Sequence, residues 1–197
     1  DCLKRLFSFL NKLERGFVKK AGITRVAFKS RLLSPVTGKE LGGWAGDDGT
    51  ILLDRSFTGN LIYHELFHIF DKNDNWSKWV RTNPKGFVYK GTGENPVELN
   101  KRNIRRIAEN EGKVDDHFVT SYAQSDDRED RAETFARMIT EGSDFKARTK
   151  KSETLLEKMN LIIDVTDSTG LLGRGFWDTL LAENISCDKT YGAVEVC

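Results

Sequence analysis

The chain has 197 residues, of which 31 are Lys or Arg and 30 are Asp or Glu, so its formal net charge is only +1. This length fits one domain with a substantial buried core. The balanced charge argues against a nucleic-acid-binding protein, and no apolar run is long enough to cross a membrane, so we expect neither nucleic acid nor a membrane span.

The first predicted element is an amphipathic helix within residues 1–20. Six large apolar residues recur there at helical spacing, namely Leu3, Leu6, Phe7, Leu10, Leu13 and Phe17. We expect this helix to cover the core, and a partner-binding helix is the alternative. Charged residues such as Lys4, Arg5 and Lys12 interrupt the segment, which is therefore not typical of a secretory signal peptide.

A strand is predicted at residues 23–28, and a glycine-rich hairpin follows at residues 41–54. The first strand of the hairpin contains the candidate substrate-binding residues Gly42, Gly43, Trp44 and Ala45. Small residues of this kind are typical of an edge strand, whereas the apolar second strand is expected to be central. An extended peptide could pair with the edge as an additional strand. The alternative is a hairpin that binds no ligand.

The residues His64-Glu65-Leu66-Phe67-His68 form a His-Glu-x-x-His motif within a predicted helix that Thr58 or Asn60 would cap. Four residues of α-helix advance about 400°, so the two histidines lie on one face and can bind one metal ion. Glu65 lies about a quarter turn away, within reach of a water molecule on that ion. This arrangement is typical of zinc peptidases. The alternative is a core helix with two hydrogen-bonded histidines.

The segment after the motif is polar, and it is predicted to contain a short helix that ends at Asn83, a brief strand at residues 87–89 and a helix at residues 96–109. The outer face of the last helix carries Lys101, Arg102, Arg105 and Arg106. These basic residues are either solvated or in contact with the substrate. His117 has no partner at ligand spacing, so we expect it to have a surface or packing role.

A later helix is predicted to begin at Asp126 and to carry Glu129 and Glu133 along one stripe with small residues. A buried carboxylate needs a cation as a partner, and a metal ion held by two histidines needs a third protein ligand. The two glutamates are one turn apart, so only one of them can bind a tetrahedral ion. The position of Glu129 in the first turn favours it as the ligand and Glu133 as a partner of a histidine ring. The alternative is that both make capping and surface pairs, such as Glu133 with Arg137.

The three cysteines, Cys2, Cys187 and Cys197, lie near the two ends of the chain. Terminal cysteines are typical of secreted domains, in which disulfides hold the chain ends. A Cys187–Cys197 disulfide is predicted, and a pair between Cys2 and either of them is the alternative. Glycosylation patterns begin at Asn75 and Asn184. We therefore expect a secreted or extracellular protein.

From the hairpin to Phe135, roughly the middle half of the chain, the sequence resembles the catalytic domain of anthrax lethal factor and the related Pro-Pro endopeptidases. The resemblance rests on Thr50-Ile51-Leu52-Leu53, His64-Glu65-x-x-His68-x-x-Asp71, Ser121-Tyr122, a Glu seven residues after the tyrosine, and Ala132-Glu133-x-Phe135. It implies that Glu129 is the third zinc ligand, that Tyr122 faces the metal and that Glu133 supports a ligand histidine.

These observations together predict one α+β, zincin-like domain over residues 1–197. A small, mostly antiparallel sheet lies over the motif helix, and the C-terminal half is helical. The predicted segments are an N-terminal helix at 1–20, the sheet and motif helix at 21–72, an insert at 73–118, the third-ligand helix at 119–142, and C-terminal helices with a tail at 143–197.

The expected activity is that of a monomeric zinc-dependent endopeptidase acting on a peptide or protein substrate. One Zn²⁺ ion activates a water molecule, Glu65 is the general base and Tyr122 donates to the oxyanion. Asp71 and Glu133 are expected to accept hydrogen bonds from the outer ring nitrogens of the ligand histidines. The alternatives are a non-catalytic domain that binds zinc or a partner, and a toxin-type effector protease with one specific protein target.

Overall fold

The architecture is α+β, as the sequence predicts. The structure, a computed structural model, describes residues 1–72, 76–91 and 115–182. Within these residues the α-helices are α1 (Cys2–Leu10), α2 (Phe17–Lys20), α3 (Gly59–Asp71), α4 (Asp127–Glu141), α5 (Ser143–Thr149), α6 (Glu153–Ser168) and α7 (Arg174–Ala182). The strands are β1 (Arg25–Lys29), β2 (Leu32–Leu33), β3 (Glu40–Leu41), β4 (Gly43–Ala45) and β5 (Thr50–Asp54). Short 3₁₀ helices occur at Trp79–Thr82, Asp115–His117 and Tyr122–Gln124.

The larger sheet is mixed, and β5 is its central strand. β5 pairs in parallel with β1 and antiparallel with β4, with Gly43 opposite Leu53. Strands β2 and β3 form a separate antiparallel pair. The predicted hairpin is therefore present, with an edge strand followed by a central strand whose Ile51 and Leu53 are fully buried.

Helix α3 contains the motif and lies between the sheet and α4. Its N-terminus is capped by Thr58, whose hydroxyl accepts a hydrogen bond from the amide of Leu61 at 3.3 Å. Phe67 of α3 stacks on Phe135 of α4, with ring centroids 4.6 Å apart. Each large apolar side chain buried in this way contributes about 1.5–3 kcal/mol to folding. The packing of α3 against α4 therefore fixes how the polar groups of the two helices face one another.

The N-terminal helix is shorter than predicted. Helix α1 ends at Leu10, and Leu3 and Phe7 remain 53% and 58% exposed, while Leu6 is buried. Gly16, directly before α2, adopts a φ of 89°, a left-handed conformation that is not helical and favours glycine. The chain therefore turns before α2, which places Phe17 in the core.

The segment at residues 87–89 is not a strand, because it pairs with no strand of the described chain. It is held instead by the hydroxyl of Tyr89, which donates to Asp130 at 2.8 Å. The predicted helix at residues 96–109, the Cys187–Cys197 pair and the Asn184 pattern lie outside the described residues. No helix within the described residues is long and apolar enough to cross a membrane.

Asp130 is a buried anchor in the first turn of α4. Its Oδ2 accepts hydrogen bonds from Trp79 Nε1 at 2.9 Å, from the Tyr89 hydroxyl at 2.8 Å and from Lys158 Nζ at 2.7 Å. The carboxylate and the ammonium are both fully buried. A charge buried this deeply needs a partner, so this cluster connects the first turn of α4 to α6 and to residues 79–89.

Candidate metal centre

His64, His68 and Glu129 direct one ligand atom each toward a common point. The distances are 2.9 Å between the two Nε2 atoms, 3.0 Å from His64 Nε2 to Glu129 Oε2, and 3.2 Å from His68 Nε2 to Glu129 Oε2. A tetrahedral zinc ion with bonds of about 2.0–2.1 Å would hold its ligand atoms about 3.3 Å apart. The triangle is slightly smaller than this spacing, and the three residues could hold a metal ion.

The local structure explains why these three residues meet. One helical turn of α3 separates the two histidines, and Glu129 lies in the first turn of α4. Asp126 caps that turn, because its carboxylate accepts a hydrogen bond from the amide of Arg128 at 2.9 Å. The structure thus places Glu129, and not Glu133, beside the Nε2 atoms of both histidines.

Glu133 instead lies behind His64, as expected for a supporting residue. Its Oε1 is 2.8 Å from His64 Nδ1. Since a carboxylate only accepts, Nδ1 carries a proton, and once the ring is neutral, as a ligand must be, Nε2 has a lone pair for a cation. The other oxygen of Glu133 accepts a hydrogen bond from the hydroxyl of Thr120 at 2.8 Å. The sequence analysis missed Thr120, because no local pattern links it to a residue thirteen positions later.

The expected role of Asp71 is not borne out by the structure. Its two carboxylate oxygens accept hydrogen bonds from Nε and Nη2 of Arg131, at 2.9 and 3.0 Å, and contact no histidine. The planar guanidinium matches both oxygens at once, which a single imidazole N–H cannot do. Nδ1 of His68 is buried and has no hydrogen-bond partner within the described residues. Asp71 therefore joins the end of α3 to α4 through Arg131, a residue that the sequence analysis also missed.

Glu65 lies beneath the edge strand β4 and is only 5% exposed. A Cβ atom added at Gly43 would lie 2.6 Å from Glu65 Oε1, so the strand can pass this closely only because residue 43 is glycine. Burial raises the pKa of the Glu65 carboxyl, and the neighbouring imidazoles only partly oppose this. A carboxylate with a raised pKa is a stronger base, as general base catalysis requires.

Tyr122 lies close to the ring of His64 and is partly exposed. Its ring centroid is 6.1 Å from that of His64, and the residue is 49% exposed. Partial burial, together with the negative charge of Glu129, raises the pKa of the Tyr122 phenol. The hydroxyl is therefore protonated at neutral pH and is a hydrogen-bond donor beside the candidate ligand group, where it contacts Glu129.

The electrostatics of the centre favour positive charge. Burial acts to lower the pKa of His64, but its hydrogen bonds to Glu129 and Glu133 outweigh this effect and raise the pKa to about 10. Burial likewise opposes ionisation of Glu129, yet the two histidines hold its pKa well below the usual range. The carboxyl groups of Glu65, Glu129 and Glu133 thus surround the two imidazoles. This excess of negative charge suits a divalent cation.

A polar cavity of about 540 Å³ lies at the C-terminal end of α3, and none of the three candidate ligands lines it. Its wall includes Lys72, whose ammonium donates to the carbonyl of Gly46 at 2.7 Å and pairs with Asp47 at 2.7 Å. Lys72 therefore holds the turn between β4 and β5 against the end of the motif helix. This contact was also missed, since a single lysine after a helix has no distinctive pattern.

His117 takes no part in the ligand group. Its Nδ1 lies 3.1 Å from the hydroxyl of Thr154, and its backbone carbonyl accepts from Lys158 at 3.3 Å. These contacts agree with the packing role expected for this histidine.

The chain matches no protein-family model, no curated protein and no solved structure in comparisons with known proteins. The functional argument therefore rests on the chemistry and the geometry of the described residues.

Proposed function

We propose that this protein is a zinc-dependent endopeptidase. The observation that carries the proposal is the meeting of three ligand atoms within 2.9–3.2 Å of one another, together with a buried carboxylate, Glu65, in the helical turn that carries the two histidines. Two imidazoles and one carboxylate form a ligand set that catalytic zinc uses, and three protein ligands leave a fourth position open. A structural zinc site is usually closed by a fourth protein ligand, which favours catalysis over a purely structural role.

Each residue around the centre has a defined part in the proposed reaction. A zinc ion would supply Lewis acidity, which polarises a carbonyl group and lowers the pKa of water to about 7. Glu65 would accept the proton of the attacking water and pass it to the leaving nitrogen. Tyr122 would donate a hydrogen bond to the oxygen that gains negative charge. Glu133 would hold His64 in the tautomer that leaves Nε2 free.

The edge strand supports an extended peptide as the substrate. β4 uses one side for its pairing with β5, and its other side is unpaired within the described residues. Because Gly43 lies directly over Glu65, a peptide paired along β4 would run past the general base. Trp44 alternates with Gly43 and so projects from the opposite face of the strand, where it is partly exposed. We assign Gly42, Gly43, Trp44 and Ala45 to substrate binding on this basis.

The proposal is tested by profiling cleavage of a diverse peptide library. The zinc-loaded protein, a chelator-treated sample and a chelator-treated sample with zinc restored should be compared. Cleavage that disappears with the chelator and returns with zinc is the expected result. A full complement of zinc with no cleavage of any peptide would instead identify a non-catalytic zinc-binding domain.

Replacing Tyr122 by Phe is expected to lower kcat by about 100-fold while changing KM little, because the hydroxyl acts on the oxyanion and not on the bound substrate. The measurement is steady-state cleavage of the best library peptide. Zinc content should stay at the wild-type level, since Tyr122 supplies none of the three ligand atoms. An unchanged kcat would remove Tyr122 from the reaction.

Replacing Gly43 by Ala is expected to lower kcat by about 10–100-fold, because the new methyl group would displace the Glu65 carboxylate from its position. Zinc affinity should not change. Gly175→Ala is a suitable control, since nothing lies within 4 Å of a Cβ atom at that position. Equal kcat values for Gly43→Ala and the wild type would show that β4 does not constrain Glu65.

A further inference from the structure

The hydroxyl of Thr120 makes two hydrogen bonds, one as a donor and one as an acceptor. It donates to Glu133 Oε2 at 2.8 Å and accepts from the backbone amide of Ala123 at 3.1 Å. A valine of the same shape could make neither bond. The hydroxyl thus connects a carboxylate that supports a metal ligand to the loop that carries Tyr122.

The connection continues to the candidate metal ligand. Glu133 uses its other oxygen, Oε1, to accept from His64 Nδ1 at 2.8 Å. In this chain of hydrogen bonds, the Ala123 amide donates to the Thr120 hydroxyl, and the Thr120 hydroxyl and His64 Nδ1 each donate to Glu133. Each hydrogen therefore has one acceptor. A carboxylate held at both oxygens cannot rotate without losing a bond, and this fixes the ring plane of His64.

The loop with Tyr122 is held at two ends. At its C-terminal end, the carbonyls of Gln124 and Ser125 accept from the amides of Lys90 and Gly91, at 3.0 and 2.6 Å. At its N-terminal end, the side-chain contact is the bond from Ala123 to Thr120. Tyr122 is half exposed, so the backbone of its loop, together with the hydrogen bond between its hydroxyl and Glu129, determines where that hydroxyl lies.

We propose that Thr120 is a positioning residue: its hydroxyl holds Glu133, which orients the His64 ring, and it holds the amide of Ala123, which places the neighbouring Tyr122 hydroxyl beside that ring. One hydroxyl sets both the orientation of the ligand ring and the place of the oxyanion donor. The role of Thr120 in placing the oxyanion donor rests on the proposed peptidase activity. Its effect on metal binding through the His64 ring does not.

The test compares Thr120→Val and Thr120→Ser with the wild-type protein. Thr120→Val should raise the zinc dissociation constant, measured by competition with a chelator, by about 10-fold, at the lower end of the range for groups that support a ligand. At saturating zinc its kcat should fall by about 10-fold, with KM within about twofold. Thr120→Ser keeps the hydroxyl and should restore both quantities to within about threefold of wild type.

A matched control is Thr134→Val on α4. The Thr134 hydroxyl is also buried, but it has no hydrogen-bond partner within the described residues. Its loss should leave zinc affinity and kcat unchanged. If Thr120→Val does not fold, as judged by near-UV circular dichroism, Thr120→Ala removes the same two bonds with a smaller side chain and takes its place.

The double variant with Tyr122→Phe separates positioning from a general loss of structure. If Thr120 acts through Tyr122, Thr120→Val should lower kcat by less than about threefold once the phenol hydroxyl is absent. An equal loss in both backgrounds, an unchanged zinc dissociation constant, or a serine variant as defective as the valine variant would overturn the proposal. A wild type without peptidase activity would refute the proposed function, and zinc affinity alone would then decide the role of Thr120.

Discussion

Glu65→Gln is expected to reduce kcat by at least about 1000-fold and to leave zinc bound. The amide has the same size as the carboxylate but cannot accept a proton at neutral pH, so the base is lost while His64, His68 and Glu129 remain. The buried position beneath Gly43 should keep the amide in place. The measurements are single-turnover cleavage of a library peptide and zinc content by mass spectrometry.

Glu157→Gln provides the matched control, because Glu157 is an exposed glutamate of α6. It removes the same charge without touching the metal centre, so activity and zinc content should equal those of the wild type. Loss of zinc together with activity in Glu65→Gln would show that Glu65 has a structural role. Retained activity would exclude it as the general base.

Glu129→Ala is expected to lose most of its zinc, whereas Glu133→Ala should bind zinc about 10–100-fold more weakly than the wild type. Glu129 Oε2 lies 3.0 and 3.2 Å from the two histidine Nε2 atoms, so its removal leaves only two ligands. Glu133 contacts the far side of the His64 ring and affects the metal only through that ring. Zinc content after dialysis and chelator competition together measure both effects.

Glu141→Ala is the control for this pair, because Glu141 lies at the other end of α4 and pairs with Arg137 and Arg148. Its zinc content should match the wild type. If Glu133→Ala lost more zinc than Glu129→Ala, the two roles would have to be exchanged.

The histidine pair of the candidate metal group could be predicted from the sequence because its geometry is local. Positions i and i+4 of a helix share a face, so His64 and His68 must lie together once α3 forms. The choice of Glu129 rested on its position in the first turn of a capped helix and on the tyrosine-to-glutamate spacing of the family that the sequence resembles. The edge position of β4 could also be predicted from the sequence, because glycine-rich strands are rarely central.

The errors concern contacts between elements that are distant in the chain. Helical periodicity places Asp71 on the same stripe as His68, but it does not show which long side chain of α4 reaches it. Arg131 carries a full charge and two parallel donors, so it competes for the carboxylate better than a neutral imidazole does. Thr120 was missed for the same reason, since its partners are set by tertiary packing.

The predicted length of the N-terminal helix was wrong for a different reason. Apolar spacing continues from Leu3 to Phe17, and side-chain periodicity alone extends the helix over the whole stretch. The positive φ of Gly16 shows that backbone conformation interrupts this pattern. Of these apolar residues, Leu6, Leu13 and Phe17 are buried, whereas Leu3 and Phe7 stay exposed, and periodicity does not distinguish this arrangement of two short helices from one long helix.

The buried Asp130 cluster has a thermodynamic consequence for the centre. Asp130 directly follows Glu129, so the same helical turn presents one carboxylate to the histidines and the next to Trp79, Tyr89 and Lys158. Any ligand that stabilises this turn also stabilises the docking of residues 79–89, and by reciprocity that docking strengthens ligand binding. A metal ion bound by Glu129 would therefore gain part of its affinity from contacts of Trp79 and Tyr89, neither of which belongs to the ligand group.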